Sequence, residues 1–514
     1  MERNGKILWA DDEIDLLKPH IMFLKAKGYD VTTVNNGADA LDSVSQSHFD
    51  LVILDENMPG LSGLETLSQI KQMRPDVPVI MITKSEEENI MNQAIGNKIA
   101  DYLIKPVNPN QILMSLKKNL HSSTLVSQQA TSDYQQEFRR ITEQINDSSD
   151  ITDWYNLYRK LVFWEMELAQ TDTNMDELLL SQKSDANAQF CKYIKRNYES
   201  WIDSESRPLM SNDVFKRKVF PLLDAGEKVF FVLIDNFRLD QWRIIKPLLA
   251  EYYNIEEDLY CSILPTATQY ARNAIFSGLM PVQIEKMFPE LWVDEDSEEG
   301  KNVNESPLIQ TQLDRFRKKY TFSYNKVYEG QFGDKLLQNF RNFEHYDLNV
   351  IVFNFIDMLS HALTESKMIR ELASTDAAYR SLTESWFRHS SASELLRKIA
   401  ESGYRVVLTT DHGTIRSDNP IKVVGDKNTN TNLRYKLGKN LTYNEKQVYA
   451  VKTPARLGLP SPNISTQYVF ATNNDFFAYP NNYNHYVQYY KGTFQHGGIS
   501  MEEMLIPLIS MQPK

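Results

Sequence analysis

Separated stretches of the chain carry the side chains best able to do chemistry. Asp235 closes the apolar run Val229-Phe-Phe-Val-Leu-Ile234, and Leu264-Pro265-Thr266-Ala267-Thr268 offers hydroxyls. Asp357-x-x-x-His361, Asp411-His412-Gly413 and His496-Gly497-Gly498 follow. Together they supply a hydroxyl, three carboxylates and three imidazoles, a set suited to two divalent metals and one nucleophile. Asp357 and His361 lie one helical turn apart, so on a helix they share a face. Adjacent Asp411 and His412 cannot share a face, but a loop after a strand would aim both at one metal. Gly497 and Gly498 give His496 backbone freedom, and Ser500-Met-Glu-Glu503 reads as a capping box for the next helix.

The elements that must position these groups follow from the apolar runs. Phe230–Ile234, Val350–Phe355 and Arg405–Thr410 read as buried strands, each followed by ligand-type residues. That is the pattern of an α/β sheet whose site collects at strand C-termini. Residues 415–440 hold Arg416, Lys422, Lys427, Arg434, Lys436 and Lys439, cationic side chains expected to favour a polyanionic substrate. Tyr270 and Tyr435 are candidates for base stacking, and Asp294–Glu299 for an exposed loop capping the site.

An independent set occupies residues 1–120. Ile7–Ala10, Val31–Val34, Leu51–Leu54, Val77–Ile82 and Tyr102–Ile104 alternate with helical periodicity, predicting a parallel, doubly wound sheet. At the strand ends stand Asp11, Asp12, Asp55, Thr83 and Lys105. Three carboxylates at one edge repel unless they hold a hard cation such as Mg²⁺, which makes Asp55 a candidate acyl-phosphate acceptor. Lys105 would balance the phosphoryl charge, and the Thr83 hydroxyl could donate to it.

Between these modules, His121–Ser132 is polar and predicts a joint, leaving a helical bundle over 121–216. Trp154, Tyr158, Leu161, Trp164 and Leu168 recur at helical spacing behind the capping candidates Asp150 and Thr152. Further helices are predicted over 134–146 and 173–204. The third module spans 217–514. At 514 residues, 42% hydrophobic, the chain has material for more than one core. A net charge of −12 argues against a dedicated duplex-DNA or anionic-membrane binder. Only Cys191 and Cys261 are present, which fits a reducing compartment. With no apolar leader and no run of about 18 apolar residues, the expectation is a cytoplasmic protein without membrane insertion.

Motif by motif, the first module resembles the receiver domain of bacterial response regulators. The matching segments are Asp11-Asp12, Leu54-Asp55-Glu-Asn-Met-Pro-Gly60, Ile82-Thr83-Lys84 and Asp101-Tyr102-Leu-Ile-Lys105-Pro106. The resemblance implies a flavodoxin-like fold, phosphorylation of Asp55 by a sensor histidine kinase, and Mg²⁺ bound with help from the Asn57 carbonyl. It also implies a switch formed by Thr83 and Tyr102. The third module resembles the alkaline phosphatase superfamily, through residues 264–281 and the Asp-x-x-x-His, Asp-His-Gly and terminal His-Gly elements in family order. That resemblance puts Thr268 at the nucleophile position, with Thr266 the close alternative. It gives one zinc to Asp235, Thr268, Asp411 and His412, and the other to Asp357, His361 and His496. The mixed N/O donor set suits zinc, with manganese the alternative. Arg272 is the expected stabiliser of the transferring group.

Across its full length the chain resembles the PorX-like response regulators with a PglZ effector module. The Gly425-Asp426-Lys427 and Asn432-Leu-Arg-Tyr-Lys436 segments fit that subgroup. This implies control of the type IX secretion system and contacts with a sigma factor or secretion components. The leading expectation is a zinc-dependent phosphodiesterase for nucleotide or oligonucleotide substrates, dimerising on phosphorylation. The alternative is a phosphorylation-controlled interaction platform without significant turnover.

Overall fold

The computed structural model describes residues 4–84, 94–96, 98–169, 175–295, 300, 302–328, 330–425, 429–479 and 482–514. It divides into two compact units, Met1–Ser132 and Asp133–Lys514, and both are α/β.

In the first unit, five parallel strands run in the spatial order Tyr29–Val34, Gly5–Ala10, Leu51–Asp55, Val79–Thr83, Asp101–Ile104. The order reverses beside the first strand, which opens a crevice at the strand C-termini. Leu51–Asp55 and Val79–Thr83 are buried throughout, as a sheet covered on both faces requires. Two apolar clusters fill those faces, one around Leu8, Leu54 and Met81, the other around Trp9, Ile53 and Ile82. The fourth strand starts at Val79, two residues later than predicted.

The expected joint at His121–Ser132 ends where the two units divide, and its residues are helical, as part of helix Ser122–Asp147. The segment lacks Gly and Pro, and Leu125, Gln128, Gln129 and Ala130 are adequate helix formers despite the surrounding polarity. The aromatic stripe lies on helix Ile151–Leu168, whose N-cap is Asp150, accepting from the amides of Thr152 and Asp153. Thr152 is therefore inside the first turn rather than the cap. Its Trp154, Tyr158, Leu161 and Leu168 are buried, and with helix Met175–Ile202 they belong to one apolar core that continues into the sheet.

That second sheet has six strands, ordered Tyr253–Cys261, Leu505–Pro513, Arg405–Thr409, Val229–Ile234, Leu348–Phe353, Phe322–Val327. The last four are mutually parallel, whereas Leu505–Pro513 pairs antiparallel with both its neighbours. Val229–Ile234 and Leu348–Phe353 are wholly buried, matching their unbroken apolar runs. The latter ends two residues before the predicted Phe355, since Asn354 turns the chain into helix Phe355–Glu365. The parallel strands therefore deliver Asp235, Asp357 and Asp411 at one edge. Among the described residues, no helix is long and apolar enough to cross a membrane.

Candidate active site

In the receiver-like unit, ligand atoms of Asp11, Asp12 and Asp55 lie within 4.8 Å of one another. Lys105 Nζ stands 2.8 Å from both Asp11 Oδ2 and Asp55 Oδ1. Burial raises the Asp55 pKa and Lys105 opposes that rise, while Asp11 and Asp12 add to it. For Lys105, burial alone would lower the pKa, but hydrogen bonds to Asp11 and Asp55 turn the shift upward. Three carboxylates against one ammonium leave room for a divalent cation, and the all-oxygen donors fit Mg²⁺. Asn57 is exposed, and its amide donates to Asp55 Oδ2 at 3.2 Å. Thr83 is buried at the end of its strand, and its carbonyl accepts from the Lys105 amide at 2.7 Å. Tyr102, opposite Met81 on the edge strand, packs half-buried against the cluster that contains Leu54 and Met58.

The second site gathers the six sequence-derived carboxylate and imidazole ligand candidates. Asp235, Asp411 and His412 form one potential ligand group, and Asp357, His361 and His496 a second. The groups adjoin, because the His412 and His496 rings stack with centroids 4.2 Å apart. Asp357 and His361 share a helix face as their spacing predicts, with Asp357 Oδ2 3.5 Å from His361 Nε2. His361 is 62% exposed and marks the open side of the site.

Thr268 is the first residue of helix Thr268–Ser277, where the dipole favours an anion. Its Oγ1 lies 3.1 Å from His412 Nε2 and 3.4 Å from Asp235 Oδ1. Thr266 has a different task. Its buried hydroxyl donates to the Gly498 carbonyl at 2.9 Å and accepts from the Gly497 amide at 3.0 Å, fixing the loop that carries His496.

Two of the three imidazoles are oriented through the second nitrogen, the usual way of presenting Nε2 to a metal. His496 Nδ1 meets the Thr266 carbonyl at 3.1 Å, and His412 Nδ1 meets that of Gly413 at 3.1 Å. Burial, then the neighbouring His412, holds the His496 pKa well below its usual value, so the ring is neutral and competent as a ligand. Buried Asp235 is pushed up, with Arg272 opposing. At Asp411 burial also acts upward, but Arg272 and His412 prevail and hold it at about 2.

Arg272 does not face the open side. It is fully buried and pairs with Asp235, with Asp411 at 2.9 Å and with Glu305 at 3.3 Å. Its geometry is that of a brace beneath the carboxylates rather than of a group in contact with a transferring phosphoryl.

Other expectations also change on burial. Tyr270 and Tyr435 are both inside, with the Tyr435 hydroxyl donating to Glu295 at 2.9 Å, so neither presents a ring for stacking. Arg434 is fully buried against Glu503, and Lys436 donates to the Asn430 carbonyl at 2.8 Å. Lys422 and Lys439 remain exposed and Arg416 is half-buried. Asp296–Glu299, Asp426 and Lys427 lie outside the described residues.

Two asparagines escaped the sequence reading. Asn354 Nδ2 donates to Asp235 Oδ2 at 2.9 Å. Asn236, held at φ 61°, bridges both groups through its amide to Asp411 Oδ1 at 3.4 Å and its Nδ2 to Asp357 Oδ1 at 3.3 Å. Their signal was position: Asn354 directly follows a buried strand, and Asn236 stands one residue beyond another, where asparagine tolerates left-handed backbone. The Oδ1 atoms of both are buried without a partner among the described residues, an environment that fits cations beside Asp235 and Asp357.

The model for the BREX system PglZ alkaline phosphatase-like domain matches residues 214–511, more than half of the chain. The chain belongs to the PglZ family. Its PglZ domain follows a match to the PorX response regulator linker domain over 124–202 and to the response regulator receiver domain over 7–117. The protein is thus a PorX-like response regulator with a PglZ effector domain, and its receiver implies a cognate sensor kinase. Among curated relatives, a CpxR homolog of Haemophilus influenzae is 36% identical over 121 residues, covering 23% of this chain and 52% of its own. ZraR of Klebsiella oxytoca is 34% identical over 119 residues, 23% of this chain and 27% of that protein. The chain thus spans about a quarter to a half of these two relatives. Of solved structures, TrrA from Thermotoga maritima in complex with Mg(2+)-BeF is 31% identical, with 22% of this chain and 98% of that one covered and a TM-score of 0.21.

Proposed function

We propose that the PglZ domain is a zinc-dependent phosphodiesterase acting on nucleotide or oligonucleotide substrates, and that phosphorylation of Asp55 controls it through a dimer. The observation that carries the reading is the Thr268 hydroxyl at a helix N-terminus, within 3.4 Å of Asp235 and His412 and beside a second ligand group. A pure scaffold has no need of a nucleophile there.

Asp235, Thr268, Asp411 and His412 would hold one zinc and Asp357, His361 and His496 the other. When bound, the pair supplies Lewis acidity that lowers the hydroxyl pKa and offsets charge on the transferring group. Thr268 Oγ1 gives up its proton and attacks phosphorus in line; its bond to phosphorus forms as the bond to the leaving oxygen breaks, that oxygen takes up a proton and departs as the alcohol, and the remaining group stays joined to Thr268 as a phosphodiester. Water then cleaves that ester and returns the hydroxyl. The helix N-terminus favours the anionic phosphoryl in both steps. Arg272 fixes Asp235 and Asp411 in place by pairing with both, and it helps hold Asp411 ionised. Exposed Lys422 and Lys439 support a polyanionic substrate, whereas buried Tyr270 and Tyr435 do not contribute base recognition.

From the resemblance to PorX-like regulators, with which the linker match is in keeping, we also propose a role in type IX secretion with a sigma factor or secretion components as partners. The test is hydrolysis of paired chromogenic phosphodiester and phosphomonoester substrates by zinc-loaded protein and by Thr268→Ala. Diester cleavage lost in the variant supports the proposal; no cleavage despite bound zinc favours a metal-stabilised interaction platform. Equal activity and oligomeric state with and without Asp55 phosphorylation would remove the regulatory part.

A further inference from the structure

Beneath the two histidine loops runs a seam of buried polar side chains that phosphoryl transfer does not use. Its centre is Glu502, 5% exposed. Asn187, on helix Met175–Ile202, donates through Nδ2 to Glu502 Oε2 at 2.9 Å and accepts from the Met501 amide at 2.8 Å. One turn earlier on the same helix, Lys183 Nζ lies 3.4 Å from Glu502 Oε1 and 2.7 Å from Glu165 of helix Ile151–Leu168. The preceding residue, Gln182, accepts from the Tyr134 hydroxyl at 3.1 Å and donates to Thr142 Oγ1 at 2.9 Å, both on helix Ser122–Asp147.

Glu502 and its neighbour in turn set the ligand loops. The Gly413 amide donates to the Glu503 carbonyl at 3.1 Å, and a Cβ on Gly413 would stand 2.0 Å from the Glu502 carbonyl. The backbone after His412 is thus pressed onto this turn. Glu503 Oε1 accepts from the Gly498 amide at 2.9 Å, two residues beyond His496. Packing alone does not demand charged and amide groups here, since apolar residues of similar volume would fill the same space; a satisfied polar network instead specifies one arrangement.

We infer that Asn187 and Lys183 are positioning residues through which the linker helix fixes the loops bearing His412 and His496, so that the place of that helix sets the geometry of the metal centre. The inference rests on the metal reading proposed above and deepens it into a route by which the linker can act on the effector site. Gln182 puts the same helix in hydrogen-bond contact with the segment that follows the receiver.

The test uses the full-length protein, with zinc affinity measured by chelator competition and ligand geometry by the visible spectrum of the cobalt(II)-substituted form. Asn187→Asp sets a carboxylate against Glu502. It is expected to weaken zinc binding by about 10- to 100-fold, the range for loss of a ligand-orienting partner, and to shift the cobalt bands. The reciprocal pair Asn187→Asp with Glu502→Gln exchanges donor and acceptor and is expected to restore both readouts. A folded Asn187→Asp protein with wild-type affinity and spectrum would overturn the inference, as would a folded double variant that restores neither. If Asn187→Asp fails to fold, Lys183→Met carries the test, and an unshifted spectrum there sinks the idea. Wild-type protein that shows this pattern in zinc and cobalt yet cleaves no phosphodiester would remove the proposed activity while leaving the linkage supported.

Discussion

The two acidic sites use the same placement and opposite chemistry. Both gather carboxylates at the C-terminal ends of parallel strands, where the fold leaves an edge open. In the receiver, Asp11, Asp12 and Asp55 are answered by Lys105, a single flexible cation that reaches two of them. In the PglZ domain, Asp235 and Asp411 are answered by a buried Arg272, and imidazoles complete each group. A lysine over an oxygen-only cluster suits a site that must gain and lose a phosphoryl group. A planar guanidinium braced among three carboxylates suits one whose ligands must not move. What separates them is the donor type and the rigidity of the counter-charge.

That contrast breaks most visibly at Thr268. Thr268→Ala is expected to lower phosphodiester hydrolysis by about 10³-fold or more while phosphorylation of Asp55 by a small phosphodonor proceeds unchanged. A variant that keeps its turnover would take the nucleophile away from this residue. The converse substitution, Asp55→Asn, should abolish covalent phosphorylation, read by phosphate-affinity electrophoresis, and leave the zinc content of the protein at the wild-type level. Loss of zinc in that variant would show that the two sites are not separate.

A smaller effect sharpens the distinction between the paired threonines. Thr266→Val removes two buried hydrogen bonds and should cost about 1–3 kcal/mol of stability in chemical denaturation, with the Thr268 hydroxyl still in place. An effect of similar size concerns a buried cation with no carboxylate partner among the described residues. Burial lowers Lys436 to about 8 from 10.5. Below pH 8 the folded protein therefore carries the cost of an enclosed ammonium. That cost fades as pH rises toward 10.5, where the unfolded chain still holds the proton. Lys436→Met should stabilise the protein by about 1–3 kcal/mol at neutral pH, with the gain shrinking at pH 10. An equal gain at both values would assign it to packing instead.

Most of the site was legible in the sequence because ligand-type residues stand immediately after buried apolar runs, and strand periodicity tells where those runs end. The same logic gave the receiver sheet and its acidic edge. Burial of individual side chains was not legible: Arg434, Tyr435 and Lys436 lie in a polar stretch and Tyr270 stands between Gln269 and Arg272 on its helix, so the local patterns look exposed, and tertiary packing closes over them. Nor was the continuity of helix Ser122–Asp147, where polar composition masked adequate propensity. Asn236 and Asn354 escaped because an asparagine after a strand reads as an ordinary turn residue until its partners are known.

The ring stack of His412 on His496 has a consequence for how the centre loads. Each imidazole belongs to a different ligand group, and neither can rotate out of its plane without striking the other. With zinc held as proposed, an ion that settles the first ring would pre-arrange the second, and stripping either position would loosen both. A partly loaded centre would then be the disfavoured state.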